Sequence, residues 1–294
     1  MTGGIRRVRS SDGVAVALHD LGGHGPTLLI SHATGFHAHC YLPVAHELDH
    51  HFHTFGLDYR GHGDTAAGAV APGVDWERFG DDAEAVATAL AAADGAALIG
   101  FGHSMGGAAL LMAAHRDASL FRGLVLFEPI VFPPIDPRRG GDGESPLIAG
   151  ARRRRASFPS YEAAIANFAA KPPLGTFTPE ALDAYVRFGF AEDANGQVHL
   201  KCHPDFEADT FAASGEQATW AALAEITTPV LVVAGRREAM QPSSFSSSVA
   251  DQLPNGSYVQ LDNLDHFGPM THPAAVAELI SGFADSPPSA GHTS

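Results

Sequence analysis

The stretch Gly100-Phe101-Gly102-His103-Ser104-Met105-Gly106-Gly107 sets one serine among four glycines. An apolar segment, Ala96 to Ile99, runs into it, and an alanine- and leucine-rich segment, Ala108 to His115, runs out of it. The first reads as a buried strand and the second as a helix, because short apolar runs suit sheet cores and alanine and leucine favour helix. Ser104 therefore stands at a strand-to-helix turn. Its apex takes strained backbone angles, and Gly102 and Gly106, two residues to either side, remove the bulk that would hold strand and helix apart. A hydroxyl placed there stands at a sheet edge and at the amino end of a helix, where free N–H groups and the helix dipole favour developing negative charge.

On either side of this turn, further strand and helix candidates alternate. Ser11-Asp12-Gly13 is a turn signal before Val14 to His19, which suggests an opening antiparallel hairpin. Thr27–Ser31, His53–Asp58, Gly123–Phe127, Val230–Ala234 and Ser257–Leu261 are further strand candidates. Between them, helices are expected at Asp81–Ala93, Ser243–Leu253 and Pro273–Ala284, the first with acidic residues in its opening turn. Strands alternating with helices predict an α/β protein with a mostly parallel sheet covered on both faces. From Ile130 to about Glu225 no strand-like run appears. Helical segments with proline-rich joints there suggest a lid over the carboxyl edge of the sheet, the edge where open α/β sheets bind ligands. The expected organisation is a core of 1–129 and 226–285, a helical lid of 130–225 and a disordered tail of 286–294.

Composition narrows the classes. The 294 residues carry a formal net charge of −15, which argues against nucleic acid and anionic membrane surfaces as partners. Two cysteines, Cys40 and Cys202, make no disulfide framework and read as free thiols. The N-terminal arginines precede no signal-like apolar core, and no run approaches the ~20 apolar residues of a membrane span. A cytoplasmic protein is expected.

Serine is a weak nucleophile unless a base takes its proton and a second group orients that base. A strand-to-helix elbow implies the chain order serine, acid, histidine. His266, in Leu264-Asp265-His266-Phe267-Gly268-Pro269, follows the last strand candidate and precedes the final helix, where such a base belongs.

Four segments in this order resemble the α/β-hydrolase fold family over Ser31 to Ala284. They are Ser31-His32-Ala33-Thr34-Gly35-Phe36, Asp58-Tyr59-Arg60-Gly61-His62-Gly63, the elbow, and Asp265 to Pro273 around His266. The resemblance implies an eight-stranded sheet and an esterase- or lactonase-like serine hydrolase acting on a small-molecule ester or lactone. It also implies an oxyanion hole from the Met105 amide and one on the loop after His32, at Thr34. Alanine at position 33 replaces the usual glycine of that loop. Relatives with a similar elbow hydrolyse carbon–carbon bonds or thioesters, or act as cofactor-free perhydrolases, and non-catalytic ligand receptors share the fold. Serine at the apex disfavours the aspartate-nucleophile branches. Asp58 and Arg60 read as structural.

Two carboxylates compete to orient His266. Glu238, in Gly235-Arg236-Arg237-Glu238, follows the seventh strand and matches the family's common acid position. Glu128 ends the sixth strand, amid Phe127-Glu128-Pro129-Ile130. A carboxylate in apolar surroundings without N–H donors is costly unless paired, whereas Glu238 has two neighbouring arginines and solvent. That contrast leans slightly towards Glu128.

Other features carry less. Histidines at 32, 37, 39, 46, 50, 51 and 53 are dense, but no acidic or thiol partner falls at zinc spacing, so no metal and no cofactor are expected. Arg152 to Arg155 read as a solvated helix face, with steering of an anionic or CoA-bearing substrate as the sharper alternative. Phe36, Tyr41, Phe132, Phe158, Phe168 and Phe177 are candidates for an apolar acyl or aryl pocket.

Overall fold

The computed structural model describes residues 4–67, 73–133, 145–239 and 241–285. The expected tail at 286–294 and most of the proline-rich joint after Val131 lie outside the described residues. Strands are numbered in chain order. The main sheet holds β1 (Arg6–Arg9), β2 (Ala15–Gly23), β3 (Thr27–Ser31), β4 (His53–Asp58), β5 (Leu98–His103), β6 (Phe121–Phe127), β10 (Val230–Ala234) and β11 (Gly256–Gln260). Their spatial order is β1-β2-β4-β3-β5-β6-β10-β11. β2 pairs antiparallel with β1 and β4; every other neighbouring pair is parallel. β5, which ends at the elbow, lies in the middle between β3 and β6.

The two-residue period of a strand divides the apolar side chains between two cores. Leu29, Leu98, Leu124, Leu126, Val230 and Val232 point into one, where they meet α2 (Glu77–Asp94), α3 (Met105–Arg116) and α9 (Ser246–Gln252). Leu28, Ile30, Phe101, Val125, Phe127 and Val233 point into the other, against α1 (Leu42–Glu47) and α11 (Pro273–Asp285). Each fully buried aliphatic or phenylalanine side chain contributes about 1.5–3 kcal/mol, so the parallel strands read as unbroken apolar runs because both faces are covered. Among the described residues no helix is long and apolar enough to cross a membrane.

Three details differ from the sequence reading. The segment expected as a helical lid, 130–225, is not wholly helical: β7 (Ser157–Phe158), β8 (Phe190–Glu192) and β9 (Val198–Leu200) form a second, antiparallel sheet in the order β7-β9-β8. The same segment holds α4 (Pro146–Arg152), α5 (Tyr161–Ala169), α6 (Pro179–Gly189), α7 (Pro204–Ala212) and α8 (Thr219–Ala222); α5 and α6 pack on that sheet, α5 capped by the Ser160 hydroxyl and α6 by that of Thr178. Next, α2 begins at Glu77 rather than Asp81, so Asp82 lies one turn in, buried, and accepts from the Arg60 guanidinium. Finally, α1 is a short helix in the histidine-rich segment, opened by Leu42-Pro43.

Arg60 also pairs with Asp12, and Asp58 accepts from the amides of Ala38 and Asp64 and bonds His19 at 2.8 Å. These residues lock the turn after β4 to the hairpin and to the loop after β3, in keeping with a structural role.

Candidate active site

At the apex of the turn between β5 and α3, Ser104 has φ 56° and ψ −118°. Among the described residues only two non-glycines have positive φ, Ser104 and Glu128, the latter at 46°. Such angles cost about 1–3 kcal/mol each and persist where the surroundings over-determine them. Here the surroundings are specific. The Ser104 amide donates to the Phe127 carbonyl at 3.0 Å, and its own carbonyl accepts from Ile130 N at 3.1 Å. These two bonds fasten the elbow to the end of β6, on either side of Glu128.

The glycines do what their spacing suggests. A Cβ on Gly106 would fall inside the backbone carbonyl of Ser31, on the neighbouring strand, and one on Gly102 would lie 2.7 Å from Gly107 Cα. Only the bare backbone lets α3 start this close to β3 and β5. Met105 opens α3, and Thr34 sits in the turn that follows β3. Neither the Met105 nor the Thr34 amide has an acceptor among the described residues.

His266 lies in the loop between β11 and the short helix α10 (Gly268–Thr271). Its Nδ1 is 2.6 Å from Oε2 of Glu128, which as a carboxylate oxygen accepts the proton-bearing nitrogen's hydrogen bond. The other carboxylate oxygen, Oε1, accepts from the Gly235 amide at 2.9 Å. Glu128 is 1% exposed, so both oxygens are held by donors without solvent. With Nδ1 committed to Glu128, the acceptor nitrogen of a neutral His266 is Nε2.

The structure thus brings Glu128, and not Glu238, to His266. Glu238 is half exposed and pairs with Arg236 at 2.8 Å. The loop after β10 reaches these residues through its backbone: Gly235 N–H donates to Glu128, and Arg236 N–H donates to Leu264 O at 2.7 Å, tying down the loop that carries His266.

Aromatic side chains close one side. The ring of Phe267, next to His266, lies 6.2 Å from that of Phe36 and 5.6 Å from that of Phe177, and Tyr185 lies 5.5 Å from Phe36. Of the six expected pocket aromatics, Phe36 and Phe177 therefore gather on the ring of Phe267, the residue after His266. Phe158 and Phe168 pack on Phe190, and Phe132 packs on Phe245. Tyr41 is fully buried, its hydroxyl 2.8 Å from His103 Nδ1.

The arginine run splits. Arg152 meets Asp205 and Asp209 on the surface, and the Arg155 guanidinium lies 4.3 Å from the Phe158 ring centre. Arg154 turns inward to pair with Glu207 at 2.5 Å, and both are set against Gly35, next to Thr34.

Burial pushes several histidines towards the neutral form: His32 down to about 3, His39 to about 3 and His37 to about 4, with His62 and His103 also lowered. His32 is a fixed neutral tautomer, Nε2 accepting from Tyr59 N–H at 3.0 Å and Nδ1 donating to Ala33 O at 2.8 Å. Cys40 and Cys202 are free and buried, and burial pushes both thiols up. Among the described residues, His19, Asp58 and Asp64 bring ligand-type atoms within 4.8 Å of one another. Asp58 is occupied by His19 and two backbone amides, and the Lys201 ammonium holds Asp64 at 2.7 Å. A cation already resides there, carried by the chain itself.

A mostly parallel eight-stranded sheet, a strained serine at the middle strand's end and a histidine loop after the last strand define a hydrolase scaffold. The chain belongs to the alpha/beta hydrolase family, whose family model matches residues 28–279. Among curated proteins it resembles a pimeloyl-[acyl-carrier protein] methyl ester esterase of Xanthomonas campestris pv. campestris. The two are 26% identical over 290 residues, covering 92% of this chain and 99% of that protein. Among solved structures it is similar to an E-2-(acetamidomethylene)succinate hydrolase, with TM-score 0.78, 21% identity and coverage of 97% of this chain and 100% of the other. It is also similar to a thermophilic esterase from Thermogutta terrifontis, with TM-score 0.69, 20% identity and coverage of 96% and 98%.

Proposed function

We propose that this hydrolase cleaves a carboxylic ester or lactone of a small molecule through an acyl-enzyme on Ser104. The observation that carries the reading is the 2.6 Å contact between His266 and the buried carboxylate of Glu128, on the same edge as the strained serine. In this mechanism Ser104 Oγ attacks the carbonyl carbon while His266 Nε2 takes its proton. Glu128 holds the ring in that tautomer and stabilises the imidazolium. The carbonyl oxygen becomes an oxyanion, received by the amides of Met105 and Thr34. Collapse expels the alkoxide, which takes the proton back from His266. A water then loses its proton to His266, attacks the acyl carbon and releases the acid, regenerating Ser104.

The ester substrate class draws support from the methyl ester esterase among the relatives. The aromatic side formed by Phe36, Phe177 and Phe267 suits an apolar acyl or alcohol portion. The test is a series of short-chain p-nitrophenyl esters, with lactones and thioesters alongside. The expected result is a burst of p-nitrophenol stoichiometric with enzyme, followed by slower turnover, both lost in Ser104→Ala. Turnover that survives Ser104→Ala, or none on any ester or lactone, would overturn the reading.

A further inference from the structure

His103, in the elbow, and Tyr41, which bonds it, touch no reacting atom in this mechanism, yet both are fully buried. His103 Nε2 lies 2.8 Å from the carbonyl oxygen of His266, and its Nδ1 lies 2.8 Å from the Tyr41 hydroxyl. The Tyr41 hydroxyl in turn lies 3.1 Å from the Ala33 amide nitrogen. The directions follow from elementary chemistry. A carbonyl oxygen only accepts, so Nε2 of His103 bears the proton. A neutral imidazole then has an accepting Nδ1, so the Tyr41 hydroxyl donates to it and its oxygen accepts from Ala33 N–H. One neutral tautomer satisfies all three bonds.

The chain of bonds spans the parts of the site that sequence separates most. Ala33 precedes Thr34, the expected oxyanion donor; His103 precedes Ser104; and His266 is the base, its ring centre 4.8 Å from that of His103. Resting on the Ser104–His266–Glu128 reading, we infer that Tyr41 and His103 are positioning residues, a neutral relay that fixes the base and the oxyanion loop relative to the nucleophile. Burial keeps His103 neutral, so the relay does not switch off as His266 gains and loses its proton. Displacement of a reacting group by about 1 Å can cost on the order of 100-fold in rate, so loss of the relay falls on kcat and not on substrate affinity.

The test uses the intact enzyme and p-nitrophenyl acetate. Tyr41→Phe removes one oxygen and keeps the ring, and His103→Phe removes both polar atoms of the imidazole. Each is expected to lower kcat about 10- to 100-fold with KM changed less than about 3-fold, and to slow fluorophosphonate labelling of Ser104 equally. His103→Gln, whose amide nitrogen can reach the His266 carbonyl, is expected to recover most of that loss. Should His103→Phe fail to fold, Tyr41→Phe with an unchanged thermal midpoint carries the test. Unaltered kcat in Tyr41→Phe, or equal losses in His103→Gln and His103→Phe, overturns the relay. Ser104→Ala serves as the control: activity retained there defeats the underlying mechanism, while activity lost there with Tyr41→Phe unaffected defeats the relay alone.

Discussion

His266 and Glu128 stand 138 residues apart in the chain and 2.6 Å apart in space. Glu128 reaches its place from a left-handed backbone at the end of β6, its second oxygen held by the Gly235 amide. The carboxylate that meets the histidine thus comes from the residue that follows the sixth strand. The loop after β10, where Glu238 lies, contributes a backbone N–H instead of a side chain.

The two carboxylates should separate cleanly on mutation. Glu128→Ala is expected to lower kcat by about 10³–10⁴-fold, the scale of losing a member of such a triad. Glu238→Ala removes an exposed partner of Arg236 and should leave kcat within about 2-fold, since such surface pairs contribute under about 1 kcal/mol. Steady-state kinetics on one ester decide between them, and the reverse ranking would return the role to Glu238.

Gly106→Ala should damage the fold itself. The added methyl meets the Ser31 carbonyl, backbone that has no freedom to move away, and overpacking of this kind costs about 1–3 kcal/mol. Gly150→Ala, in exposed α4 with open space around it, should instead stabilise by about 0.5–1 kcal/mol. Urea midpoints of the two variants read this directly. An unchanged midpoint in Gly106→Ala would mean the elbow is looser than its geometry indicates.

Much of this was legible in the sequence. The elbow announces itself because its glycines are needed for close backbone approach, and the parallel strands because both faces are covered. His266 follows from chain order. The small antiparallel sheet is not legible, since β7 has two residues and pairs with β9 some 40 residues on. No alternation can show in so short a run. The choice between Glu128 and Glu238 was open because burial, the property that separates them, belongs to the folded chain. In the sequence Tyr41 reads only as a pocket aromatic. Its bond to His103 joins residues 62 apart, and the signal available was the histidine immediately before the serine.

Acidity should unfold this protein early. His32, His37, His39, His62 and His103 are pushed below their ordinary value by burial. With folded-state values depressed, the unfolded chain binds more protons once pH falls below about 6.5, so stability is full above that pH and drains as it falls. Each such histidine contributes a slope of up to about 1.4 kcal/mol per pH unit. Thermal midpoints are therefore expected to hold near pH 7 to 8 and drop steeply between about pH 6 and 5. A flat profile down to pH 5 would show that these histidines protonate within the fold.

The most direct measurement is peptide mapping by mass spectrometry after treatment with a fluorophosphonate. The expected result is a single adduct on the peptide containing Ser104, formed quickly in the native enzyme and at least about 10³-fold more slowly when His266 is replaced by alanine. An adduct elsewhere, or labelling of Ser104 at an undiminished rate without His266, would contradict a serine activated by that histidine.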